Sequence, residues 1–262
     1  MAQVQGTVVR AHPGIGVLKL QLSKTILVGE AVETLYRSGT VDYAETNYRI
    51  DLDAIPTDPM FSDQWALNNT GQGGGTADAD IDAVEAWNKR TNCSNTIVAV
   101  IDTGVGYNHE DLAANMWKNL REIPGNGVDD DHNGWVDDVY GINAVAENGD
   151  PFDDDLHGTH CAGIIRAKGN KGVGVTGVCW AAKIMALKFI GIDGYGYIDD
   201  AITCIGYALA MKAKNSYPCM VLSNSWGSYW KSQAPYDAFK ATQLAGVLVV
   251  AAAGNDGLDN DA

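Results

Sequence analysis

Positive charge is the scarcest commodity in this chain. Its 262 residues carry 18 lysines and arginines against 33 aspartates and glutamates, a formal net charge of −15. Phosphate backbones are bound by clustered basic side chains, so a nucleic-acid partner is excluded. Long apolar runs are missing as well, and no segment is suited to crossing a bilayer as a helix. The opening residues, MAQVQGTVVRAHPG, lack the basic, apolar and small-residue zones of a secretory leader. The expectation is therefore a cytosolic protein or a chain that starts downstream of its true beginning. Cysteine is sparse: Cys93, Cys161, Cys179, Cys204 and Cys219, none in CxxC spacing, which argues against a zinc site. Their odd number leaves a free thiol if no intermolecular bond forms, and they do not reveal the compartment. There is no internal repeat.

A hydrophobic fraction of 46% is enough for a sizeable core. Residues 1–55 read as a small α+β unit: a strand in GVLKLQL, a helix in ILVGEAVETLYRSG closed by Gly39, and a strand in TVDYAETNYRI. The stretch DAIPTDPM then has the prolines and acids of a linker. From about residue 96 apolar runs ending in small residues alternate with helical patterns. TIVAVIDTG, KIMALKFIG, MVLSNSWG and GVLVVAAAG predict strands buried on both faces. Between them, Ile198, Ile202, Ile205 and Leu209 share one helical face, and YDAFKATQLAG predicts a helix stopped by Gly246. The pattern predicts an α/β fold, a doubly wound parallel sheet flanked by helices over residues 56–262. In such sheets function gathers beyond the carboxyl ends of the strands.

Three residues stand out there. Asp102 closes the first strong strand, where it suits either a helix cap or a carboxylate that orients an imidazole. His157 lies in HGTHCAG, whose glycines leave its ring unobstructed, as a general base requires. His160, three residues on, reads as a structural histidine. Asn255 follows AAAG; it is either a turn former before Asp-Gly or an amide donor for an oxyanion. Cys161 reads as a small buried hydrophobe rather than a nucleophile.

Taken together, VIDTGV, HGTHCAG, SNSWG and AAAGNDG in this order resemble the subtilisin-like serine proteases over almost all of residues 57–262. The resemblance implies a serine endopeptidase acting on polypeptides. In it Asp102 orients the imidazole, His157 is base and then acid, and Asn255 stabilises the oxyanion. Subtilisin is a standard case of this Asp–His–Ser order and of an asparagine oxyanion donor. The family's serine sits in a GTSMA-type motif that this sequence does not contain; Ser223, Ser225 and Ser228 are not at that position. The resemblance also implies two cleft walls that pair with extended substrate, one with Gly194 and Gly196 in GIDGYG, the other with Ser225, Trp226 and Gly227. Trp226 is alternatively a core residue.

Calcium is the expected cofactor, at one or two sites. In DDDHNGWVDD, Asp129, Asp131, Asn133 and Gly134 match the first half of an EF-hand-like loop and Asp137 falls at its ninth position, while Tyr140 replaces the closing Glu. The resemblance implies a second site at Asp58, Asp111 and Asn170. It further implies that residues 1–55 are part of a propeptide whose tail lies in the cleft, with maturation near residues 49–57. The expected protein is a secreted monomeric zymogen seen as an incomplete chain, inactive by itself. The alternative is a catalytically dead relative that binds or inhibits. A metal-dependent hydrolase using His157, His160 and nearby acids is a further rival.

Overall fold

A computed structural model describes residues 4–47, 54–227 and 232–257. The chain divides into two compact units, residues 1–52 and 53–262. In the first, β1 (Gly6–His12) and β2 (Val17–Leu22) form an antiparallel hairpin around the Pro13-Gly14 turn. Helix α1 (Val28–Arg37) follows, with Glu30 in its first turn and Arg37 in its last, each matched to the helix dipole. Gly39 ends it in the left-handed conformation, φ +61°. The strand expected in TVDYAETNYRI does not form over residues 40–47, and residues 48–50 lie outside the described residues. The partner of β2 is β1 instead, a TVVRAH segment whose β-branched run was not read as a strand. The expected maturation region overlaps residues 48–53, which also lie outside the described residues.

The second unit contains α2 (Ala83–Trp87), β3 (Thr96–Asp102), β4 (Gly141–Asn143), α3 (His157–Arg166), β5 (Lys183–Lys188), α4 (Ile198–Asn215), β6 (Cys219–Asn224), α5 (Gln233–Leu244) and β7 (Leu248–Ala251). The last five strands make one parallel sheet in the order β4-β5-β3-β6-β7. Side chains alternate across it. Ile97, Ala99 and Ile101 pack with α4 and with Phe239 of α5, while Val98 and Val100 face the opposite side with Ala162 of α3. Both faces are therefore covered, as the continuous apolar runs require. Helix α4 buries Ala201, Cys204, Ile205, Ala208 and Met211. Its deepest seam lies one position away from the isoleucine face expected, because the small Ala201 and Ala208 let the helix approach the sheet.

From β3 the chain passes to β4 and β5 on one side and then crosses to β6 and β7 on the other. The carboxyl ends of β3 and β6 thus flank the point where strand order reverses, the place where such sheets form crevices. Asp102 ends β3 and Asn224 ends β6. A disulfide joins Cys93, ahead of β3, to Cys179, ahead of β5, while Cys161, Cys204 and Cys219 are free.

Candidate active site

Asp102 is 1% exposed and its Oδ1 lies 2.7 Å from Nδ1 of His157, the first residue of α3. The two come together because the backbone permits an unusually close contact. Leu156 turns the chain at φ +95° immediately before the histidine. Gly158 then lies so tightly on the end of β3 that a Cβ there would come within 2.1 Å of the Gly104 carbonyl oxygen and 3.0 Å of the Asp102 Cβ. The hydrogen bond to Asp102 raises the His157 pKa above its ordinary value, against a partial lowering by burial. The imidazole side chain is half exposed, so the carboxylate is held in the protein while the ring reaches solvent.

A second carboxylate holds this arrangement. Asp153 is buried and accepts hydrogen bonds from Thr103 Oγ1 (2.9 Å), Thr159 N (2.8 Å), Thr159 Oγ1 (2.5 Å), Asp155 N (3.0 Å) and Leu156 N (3.0 Å). Burial pushes its pKa up, but the bonds from Thr159, Leu156 and Asp155 outweigh that and leave it below the ordinary carboxylate value. Thr103 in turn receives the Gly158 N–H at 2.9 Å. On the other flank Lys188, paired in register with Asp102, is buried and donates to the Thr103 carbonyl, the Ile190 carbonyl and Asp154 Oδ1. None of these supporting residues was singled out from the sequence. Asp153, Asp154 and Asp155 form a run of identical letters, and only burial separates their roles.

Cys161 lies on the same helix. One ligand atom each of Asp102, His157 and Cys161 fall within 4.8 Å of one another. Burial raises the thiol pKa, opposed by a hydrogen bond to Ser225, so Cys161 is held as a neutral thiol rather than a reactive thiolate. It is half-buried rather than fully interior. His160 is exposed and belongs to neither of the groups of potential metal ligands among the described residues.

The expected cleft residues follow the same strand ends. Ile190 and Gly196 form an antiparallel bridge after β5, with Gly194 at φ +76° in the turn between them. A Cβ at Gly196 would come within 2.4 Å of the Phe189 carbonyl. Ser225, Trp226 and Gly227 directly follow β6. The Trp226 ring packs edge-on to Phe189, centroids 4.9 Å apart, and stacks on Phe239 at 6.3 Å. Its ring thus belongs to the edge of the core, the alternative left open above. Ser228 lies outside the described residues. Asn255 is exposed, beyond the end of β7. The segment leading to it is tied down by Asn224, whose side chain donates to the Val250 carbonyl and whose carbonyl receives the Ala252 N–H.

The two expected cation sites differ. In the acidic loop, carboxylate oxygens of Glu122, Asp129 and Asp131 lie within 4.8 Å of one another, and Asp131 Oδ1 is buried without a donor. Asp137 points elsewhere: its oxygens accept the Gly125, Asn126 and Gly127 N–H groups. Asn133 donates to Asp138 and accepts from Trp135. Glu122, seven residues ahead of the DDDHNGWVDD pattern and outside the calcium-loop spacing, was not foreseen. At the other site, Asp58, Asp111 and Asn170 do converge on one loop, but each of their side-chain oxygens already meets a donor from the protein.

Residues 93–262 match the sequence model of the subtilase family, peptidase S8. The chain belongs to the subtilase family. Subtilisin-like protease 1 of Plasmodium vivax is 43% identical over 136 residues, covering 52% of this chain and 22% of that protein. The cell wall-associated protease of Bacillus subtilis is 30% identical over 232 residues, covering 88% of this chain and 23% of that protein. A solved structure, the S41 psychrophilic protease, is 32% identical with a TM-score of 0.49, over 63% of this chain and 48% of its own. The chain thus spans less than a quarter of the length of either sequence relative. The subtilase assignment agrees with the doubly wound parallel sheet and its Asp102–His157 pair.

Proposed function

We propose that this chain carries the acid–base half of a serine endopeptidase that cleaves extended polypeptides. The observation that carries the reading is the 2.7 Å contact from buried Asp102 to Nδ1 of a half-exposed His157. Asp102 accepts a hydrogen bond from the Nδ1 N–H, which keeps the proton on Nδ1 and leaves Nε2 with its lone pair directed away from the carboxylate. Nε2 then takes the proton of an attacking serine hydroxyl and returns it to the leaving amine. Water repeats the exchange to release the acyl group. Asn255 would donate its side-chain N–H to the oxyanion, and the edges at Gly194–Gly196 and Ser225–Gly227 would pair with substrate backbone. The names of the relatives, proteases in both cases, support a polypeptide substrate. No serine in the family's motif is present among residues 1–262, so these residues alone are expected to give no turnover.

Calcium is assigned to the acidic loop on one oxygen, the buried and donorless Asp131 Oδ1; Glu122 and Asp129, whose oxygens also accept backbone N–H groups, would complete its shell. The ion would neutralise carboxylates whose mutual repulsion already raises Glu122, beyond the larger effect of burial. Residues 1–55 are proposed to be part of a propeptide, whose tail would lie in the cleft before maturation. The Cys93–Cys179 disulfide suits an oxidising, extracellular setting, and no described helix is long and apolar enough to cross a membrane. The mature protein is proposed to be a monomer.

The test is labelling by a serine-directed phosphonyl reagent. Residues 1–262 should remain unlabelled, whereas the same reading frame continued through a serine motif should be labelled and should lose peptidase activity in His157→Ala. A stop codon directly after residue 262, or activity abolished only by a transition-metal chelator, would contradict the proposal.

A further inference from the structure

The loop Lys168–Val175 is the segment for which family resemblance implies a calcium clamp at Asp58, Asp111 and Asn170. Its donors and acceptors are arranged differently. Asp58 is 4% exposed and accepts three consecutive backbone N–H groups: Asn170 at 2.6 Å on Oδ2, and Lys171 and Gly172 at 3.0 and 3.1 Å on Oδ1. The left-handed Asn170 (φ +60°) and Gly172 (φ +72°) curl the backbone so that these N–H groups converge on one carboxylate. Asn170 Oδ1 is taken by the Thr57 N–H and hydroxyl. The Gly174 carbonyl, another potential ligand, accepts from Met60 N at 3.1 Å. Asp111 Oδ2 accepts from Val175 N at 3.2 Å, and its Oδ1 bonds the Lys171 ammonium. That ammonium also donates to the Glu110 carbonyl at 3.0 Å. The pair is sheltered, with side chains 15% and 7% exposed for Lys171 and Asp111.

A calcium ion needs six to eight oxygens with lone pairs directed at it. Here the oxygens of all three implied ligands face N–H, O–H or ammonium donors, and the pocket already holds a positive charge. None of them is among the buried side-chain atoms left without a partner, in contrast to Asp131 Oδ1, although the Oδ2 of that carboxylate pairs with Lys214. The residues do not fit a bound metal. We infer that Lys171 is the resident cation of this site: its ammonium, tethered by the chain, clamps the Lys168–Val175 loop to Asp111 where calcium would otherwise be required. This loop is then held independently of calcium concentration, and the inference stands whether or not the acidic loop binds the ion.

The experiment measures thermal unfolding of the whole chain in excess calcium and in chelator, for the natural protein, Asp111→Asn and Lys171→Asn. The readout is the calcium increment, the difference between the two Tm values. Asp111→Asn should lower Tm by roughly 5–10 °C in both conditions and leave the increment as it was. Lys171→Asn removes the competing charge and frees Asp111, so its increment should exceed that of the natural protein. Equilibrium dialysis in calcium should find one more ion per chain in Lys171→Asn than in the natural protein, a measurement that holds even if this variant unfolds in chelator. A smaller increment in Asp111→Asn would overturn the inference, because calcium would then reach Asp111 beside Lys171. Equal ion counts in the natural protein and Lys171→Asn would also overturn it.

Discussion

A methyl group added at Gly158 would overlap the Gly104 carbonyl and press on Asp102. Gly158→Ala is therefore expected to cost about 1–3 kcal/mol in urea unfolding and to separate His157 from its carboxylate. Asp153→Ala should be at least as damaging. It strands the hydroxyls and N–H groups of Thr103, Thr159, Asp155 and Leu156, at about 1–3 kcal/mol for a buried group left unpaired. The pH dependence separates the two carboxylate-linked effects. Asp153 is depressed in the folded protein, so its contribution is present above its ordinary value of 3.8 and is lost as pH falls through the lower folded value. His157 is raised, so its contribution is complete below 6.5 and fades as pH rises through the higher folded value. Unfolding followed across both ranges should show these opposite slopes, and Asp102→Asn should flatten the neutral one. Asp102 and His157 were singled out in the sequence because one ends a strong strand, the other opens a motif containing glycines, and the order of four motifs linked them. Asp153 and Lys188 were not, since their roles depend on burial and on neighbours brought up by the sheet.

Strands β3, β5, β6 and β7 were legible as elements because a strand covered on both faces must be apolar throughout, and such runs end abruptly. The hairpin strand β1 was missed, for its residues are largely exposed and nothing in TVVRAH alternates cleanly. The seam of α4 was displaced because two alanines, weak as hydrophobic signals, face the sheet. No sequence rule paired the cysteines either. The Cys93–Cys179 bridge spans 86 residues and ties the entrances of β3 and β5, adjacent strands under the active site. By loop-closure entropy it contributes about 4–5 kcal/mol. Replacing both cysteines by serine should lower Tm by roughly 10–15 °C, measured by calorimetry without reductant.

The net charge of −15 is unevenly spread, and three of its carboxylates, Glu122, Asp129 and Asp131, meet in one loop. The molecule as a whole should therefore gain stability from calcium through this one loop, by about 2.7 kcal/mol at a hundredfold excess over Kd. Asp131→Asn should remove that gain, seen as the loss of the calcium-dependent rise in Tm. The proposed chemistry rests, however, on one pair of side chains at the switch point of the sheet, with His157 as the proposed base and Asp102 as its orienting carboxylate. An NMR titration of the His157 ring in the folded chain tests this most directly. The account predicts a pKa above 6.5, with the Nδ1 proton held in the hydrogen bond, and a fall in that pKa in Asp102→Asn. An ordinary pKa that Asp102→Asn leaves unchanged would contradict it.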